Sequence, residues 1–149
     1  MTMCETRHLA EALDIRRSKV PSYVAEGLIP ASVDARGYGR CNGRQFSVAD
    51  VAIGDVVMEY HGVWPITVRQ GIQRLLSRYS RRGGDLSRAR LVLALPTRRS
   101  MDVCGRIATS QRDVDRAVRA VRARGGAAAI IDVAAHYRRV VSRLAEVAS

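Results

Sequence analysis

Ala35-Arg-Gly-Tyr-Gly-Arg-Cys-Asn-Gly-Arg-Gln-Phe46 is the stretch whose reading decides the fold. Asn42-Gly43 supplies adjacent residues that tolerate positive φ, as a tight hairpin turn requires, between short segments ending in Tyr38–Arg40 and Arg44–Phe46. Arg36, Arg40 and Arg44 crowd onto this hairpin, with Tyr38 between them. Such a tip covers a core poorly and meets phosphates well, because guanidinium groups make bidentate, charge-assisted bonds to them. Taken alone, the same residues read equally as a solvated basic hairpin, so the flanking sequence has to decide.

Upstream, Glu5 to Leu13 sets Leu9, Ala10 and Leu13 on one helical face, with Ile15 beyond a break at Asp14. Arg16-Arg-Ser-Lys19 then introduces a second helix in which Val20, Tyr23 and Val24 recur at helical spacing until Gly27 stops it. Two short helices joined by a tight turn, the second opening with Arg16, Arg17, Ser18 and Lys19 as donors, form the layout of a helix-turn-helix. Pro21 constrains the start of the second helix. A start at Arg17 would place the proline in the helix interior, at a cost of roughly 3 kcal/mol. Ser18 as the N-cap places it in the first turn, where its missing N–H costs nothing. The second arrangement is the expectation, and it makes the recognition helix short.

Downstream, Ser47-Val-Ala-Asp50 reads as a capping box opening a third helix with Val48, Val51, Ala52, Val56, Val57 and Tyr60 on its apolar stripe. Trp64-Pro65 opens a fourth, carrying Val68, Ile72, Leu75, Leu76 and Tyr79. Arg81-Arg-Gly-Gly84 breaks the pattern and is the candidate linker between a unit over 1–80 and another over 85–149. The period then changes. Leu91–Leu95 reads as a buried strand, Pro96–Ser100 as a turn, and Met101–Ile107 as a partner strand with Met101, Val103 and Ile107 facing in. Ser110-Gln-Arg-Asp113 is a second capping box, starting a helix with Val114, Ala117, Val118 and Val121 on one face. Ala128–Val133 reads as a third strand, and Tyr137, Val140, Val141, Leu144 and Val147 mark a last helix. The expected fold class is α+β: a winged helix-turn-helix followed by a small β-β-α-β-α unit. A unit of about sixty residues with few large side chains buries a thin core, so it is expected to pack on a second copy as a homodimer.

The chain has 149 residues, with 25 Lys and Arg against 14 Asp and Glu, a net charge of +11 that points to a polyanionic partner. Lys19 is the only lysine, and a GC-rich genome explains a preference for arginine as well as phosphate binding does. Aromatic residues are too few for a sheet that stacks single-stranded bases, so the expected partner is duplex DNA. Cys4, Cys41 and Cys104 are widely spaced and form no C-x-x-C pair, which argues against a zinc site or a disulfide framework and for a reducing compartment. No run is long and apolar enough for a membrane span, and Cys4, Glu5 and His8 stand where a signal peptide would be apolar. A cytoplasmic, nucleoid-associated protein is expected, with no membrane partner. Gly37-Tyr-Gly39 lacks the strand-to-helix setting of a nucleotide loop, and His8, His61 and His136 have no carboxylate or cysteine at ligand spacing. No nucleophile sits beside a base either. The expectation is therefore a protein without catalytic residues, metal or cofactor.

Residues from about Thr6 to Leu76 together resemble the MerR family of winged-helix regulators. The resemblance is carried by His8-Leu-Ala-Glu-Ala-Leu-Asp-Ile15 as first helix and turn, and by Tyr23-Val-Ala-Glu-Gly-Leu-Ile-Pro30, similar to the family's YYEREGLLP. Gly43-Arg-Gln-Phe-Ser-Val-Ala-Asp50 is similar to its YRxYSxxD, and His61-Gly-Val-Trp-Pro-Ile-Thr-Val68 to its GxSLxxI. The resemblance implies a double-stranded DNA-binding regulator whose second helix enters the major groove while the wing lies along the backbone or minor groove. By position, Arg16, Arg17, Ser18, Lys19, Ser22 and Tyr23 fall on the recognition helix, and Arg36, Tyr38, Arg40 and Arg44 on the wing. Ser22 replaces the first tyrosine of the family pair and Pro21 the arginine before it. The family's long dimerising helix and metal-binding cysteines are absent after Leu76, so metal sensing is not implied. Two other functions suit these residues: an antitoxin that neutralises a toxin through its C-terminal unit, and an excisionase-like architectural DNA binder.

Overall fold

Cys4 and Phe46 sit opposite each other in a two-stranded antiparallel pairing of β1 (Met3–Glu5) with β2 (Gln45–Ser47), and both side chains are buried. The computed structural model describes residues 3–31, 45–95 and 104–148. Strand β1 is too short to show a period, and helical spacing from Glu5 onward masks it. The first helix, α1 (Thr6–Leu13), starts where the Glu5 N–H donates to Nδ1 of His8 at 3.4 Å. It ends at Asp14, which takes the left-handed conformation with φ of 53°, a region that short polar side chains tolerate.

The N-cap expected at Ser18 is corrected to Lys19. Arg17–Lys19 forms a 3₁₀ turn closed by the Lys19 N–H on the Arg16 carbonyl at 2.9 Å, and α2 runs over Val20–Ala25 with Pro21 in its first turn. The chain is already coiling before the proline, so Ser18 lies inside the 3₁₀ turn and not at the helix boundary. Gly27, at φ of +73°, then lets the Leu28 and Ile29 N–H groups both bond the Tyr23 carbonyl, at 2.9 and 3.3 Å.

Ser47 and Asp50 form the expected capping box: Asp50 N–H donates to Ser47 Oγ at 3.0 Å, and Ser47 N–H to Asp50 Oδ2 at 2.9 Å. The helix they open, α3 (Val48–Glu59), is buried on more than one face, from Asp50 through Val57. The Trp64 ring stacks on Tyr60 at 4.3 Å ahead of α4 (Ile66–Arg81).

After a 3₁₀ turn over Leu86–Arg88 come β3 (Arg90–Ala94), β4 (Cys104–Ala108), α5 (Gln111–Ala123), β5 (Ala128–Ile131) and α6 (Val133–Ala148). The sheet order is β4-β3-β5, with both neighbours antiparallel to β3. Two sequence expectations change here. The third strand stops at Ile131 because Val133 already begins α6, and Val141 is 44% exposed although it was expected on the buried stripe. Met101 and Val103 lie outside the described residues.

Alternation along β3 divides the packing. Leu91 and Leu93 enter a cluster with Leu28, Ile53, Val57, Val68, Ile72, Leu76 and Ile131, whereas Val92 turns to Ala108, Val114 and Ala117 beneath α5. A further cluster joins Val140 and Leu144 of α6 to Leu9, Leu13, Val20, Phe46 and Val51. Gly83-Gly84 thus marks a turn, while the packed side chains on either side of it share one core. Fold class is α+β, with six helices and two small antiparallel sheets among the described residues. None of these helices is long and apolar enough to cross a membrane.

Candidate nucleic-acid interface

Val20 is fully buried against Leu9, Ala12 and Leu13, and it anchors the corner from which Arg16, Arg17, Ser18 and Lys19 all project exposed. The left-handed Asp14 and the extended Arg16 turn the chain away from α1, and the 3₁₀ turn gathers the basic side chains within one coil. Ser22 is exposed, and its hydroxyl donates to Glu26 Oε1 at 3.1 Å. Tyr23 differs from its neighbours. Its half-buried ring packs on two core clusters and meets His61 edge-on at 6.3 Å, so it supports α2 from beneath.

Arg36, Tyr38, Arg40 and Arg44 lie outside the described residues, but the chain on either side of them is placed. Ala31 before them and Ser47 after them line one cleft of about 410 Å³ together with Ser77, Ser80 and Arg81 of α4. Gln45 pairs with Glu5, next to the start of α1. The described chain therefore breaks off at Ala31 near α4 and resumes at Gln45 paired with β1.

Charge is spread unevenly. Arg7 pairs with Glu5 at 3.2 Å and Arg139 with Asp55 at 2.6 Å. Arg74, Arg78, Arg81 and Arg82 are exposed and form a group that the sequence reading passed over, although its helical spacing is visible in the sequence.

A second polar constellation lies between α3 and α6. Nδ1 of His136 is 2.8 Å from Asp55 Oδ2, its Nε2 is 2.6 Å from Glu59 Oε2, and Arg139 donates to the same Asp55 oxygen at 2.6 and 3.2 Å. Burial acts to raise the Asp55 pKa, but the hydrogen bonds and charges of His136 and Arg139 outweigh it and hold the carboxyl below its ordinary value. Asp55 and His136 are each 7% exposed, so the group serves as a clamp between helices. Sequence spacing could not show it, because Asp55 and His136 are 81 positions apart. The other histidines also hold structure: His8 accepts from the Glu5 N–H, and Nδ1 of His61 lies 3.1 Å from the buried Arg69, whose Nε donates to the Trp64 carbonyl at 3.2 Å. Burial, with a contribution from the Asp50 charge, pushes the Cys4 thiol up to about 11 and leaves it unreactive at neutral pH. Among the described residues no group of three or more His, Cys, Asp or Glu is placed to hold a metal ion.

Comparison with protein-family models finds no match to this chain, and neither does comparison with curated proteins.

Proposed function

We propose that this chain is a sequence-specific double-stranded DNA-binding transcriptional regulator built on a MerR-like winged helix-turn-helix. The observation that carries the reading is the exposed corner Arg16–Lys19, anchored by buried Val20, which shares one apolar cluster with Ile29 and Phe46 near the two ends of the segment bearing Arg36, Tyr38, Arg40 and Arg44. In this reading α2 enters the major groove and presents Ser18, Lys19 and Ser22 to base edges. Ser22 spends its proton on Glu26, which leaves its oxygen to accept from a base amino group. Arg16, Arg17 and the wing arginines hold phosphates, which fix register without reading sequence. Tyr23 keeps α2 seated.

Two copies pair through the C-terminal residues and set the spacing of two half-sites, about 34–36 Å apart for one turn of DNA. The support for pairing is β5, an edge strand without a charged residue whose Ile130 is 54% exposed. The same bare edge also suits strand addition by a protein partner, so an antitoxin is the second reading, and co-purification with a partner from the native host distinguishes it. A regulator of this kind works on the nucleoid in the cytoplasm.

The test is titration of a duplex from the gene's own upstream region and of a scrambled duplex. Lys19→Ala is expected to lose about 1–3 kcal/mol of discrimination between them. Arg40→Ala is expected to weaken both equally and to shallow the plot of log K against log salt by about one unit. Equal affinity of the unaltered chain for both duplexes would defeat the reading.

A further inference from the structure

We infer that the arginine row on α4 is a second seat for the same duplex, gripping backbone phosphates beside the roots of the 32–44 segment. This rests on the DNA-binding reading above. Helix α4 contains no Asp or Glu, and Arg74, Arg78 and Arg81 follow one another at the spacing that brings side chains together on one helical face, with Arg82 just beyond. All four are exposed, and none makes an ion pair among the described residues. Like charges at this spacing repel one another. The negative end of the helix dipole offsets this for Arg78 and Arg81 in the last turn, but it does not reach Arg74.

Two further observations give the row a ligand and a direction. Gln73, Arg74, Ser77, Arg78, Arg81 and Arg82 line a cleft of about 400 Å³. Within it Ser77 is 4% exposed, and its Oγ has no hydrogen-bond partner among the described residues. A buried hydroxyl left in that state is unfavourable, and a phosphate oxygen lodged among the arginines would satisfy it. The cleft beside it shares Ser77 and Arg81 and is walled by Pro30, Ala31 and Ser47, the residues flanking the wing segment. At the other end of α4, Nε2 of Gln70 donates to the Glu26 carbonyl at 2.7 Å and ties the helix to the end of α2. Helix α4 therefore runs from the end of α2 to the residues that flank the 32–44 segment. From Arg74 to Arg81 it extends about 10 Å, the axial rise of about three phosphates on one strand, which suits a polymer backbone better than an isolated anion.

The full chain carrying Arg74→Gln, Arg78→Gln and Arg82→Gln is titrated with the upstream and scrambled duplexes over a salt series. The expected result is a loss of affinity equal for both duplexes, with the slope of log K against log salt shallower by about two to three units. Ser77→Ala is measured alongside. It is expected to weaken duplex binding several-fold while the melting temperature holds or rises, because an unsatisfied buried hydroxyl has been removed. An unchanged salt slope in the triple variant overturns the second seat, and so does saturable binding of inorganic phosphate in the cleft without any loss of slope. The two levels separate cleanly: if Lys19→Ala costs discrimination while the triple variant keeps its slope, the recognition reading stands and only the α4 seat falls.

Discussion

Asp55 shows how one side chain ties α6 to α3. Its carboxylate accepts from Arg139 and faces His136, and those partners outweigh the cost of burial. Because the folded pKa lies below the ordinary 3.8, the stabilisation is fully present above that pH and is lost as pH falls through the lower folded value. Asp55→Asn is expected to lower stability at pH 7 by roughly 2 kcal/mol, less than a fully buried pair would lose, because the Arg139 side chain is 45% exposed. Urea unfolding at pH 7 and again below 3.8 checks this: the gap between the variant and the parent should narrow in acid. An equal gap at both values would remove the charge from the account. At this scale the sequence was legible where chemistry is local. Ser47 and Asp50 announce their capping box, and Pro21 announces the first turn of α2. The partners of His136 and Arg69 stayed hidden, because no local spacing records which helices will meet.

Helix α6 is the clearest case of an element whose existence was readable and whose destination was not. Val140 and Leu144 lie at helical spacing, but only the fold shows that they press on α1 and α3, or that Nη1 of Arg143 donates to the Ala12 carbonyl at 2.9 Å near the end of α1. The interior of α3 carried a hint. Val51-Ala-Ile-Gly-Asp-Val-Val57 is too apolar for a helix with one face in water, and a helix apolar on all sides is an enclosed one. Strand β1 is too short to give any periodic signal. A chain ending at Asp132 is expected to expose Leu9, Phe46 and Val51 and to lose the sharp near-ultraviolet dichroism of Tyr60 and Trp64 while retaining helical far-ultraviolet signal. Native near-ultraviolet dichroism in that shortened chain would show that α1 to α4 fold without α6.

Across the whole molecule, charge and packing follow different divisions. The apolar residues of both halves interlock through Leu91, Leu93 and Ile131 on one side and Val140 and Leu144 on the other, so composition and the Gly83-Gly84 turn suggest more separation than the core contains. Exposed basic side chains gather at the corner Arg16–Lys19, along α4 and along α5, where Arg112, Arg116, Arg119, Arg122 and Arg124 are exposed, and the residues flanking the 32–44 segment line a cleft with α4. The short helices over Thr6–Leu13 and Val20–Ala25 were legible because their turns and the stop at Gly27 are local signals; the row on α4 was not, because arginines at helical spacing occur on any solvated helix face. The central claim is that the α2 corner and the 32–44 segment hold one duplex together. Amide hydrogen exchange of the free chain and of the chain saturated with its upstream duplex tests it most directly. The account predicts slowed exchange over Arg16–Tyr23 and over Arg36–Arg44 in the same complex, and protection confined to one of the two stretches, or absent from both, would contradict it.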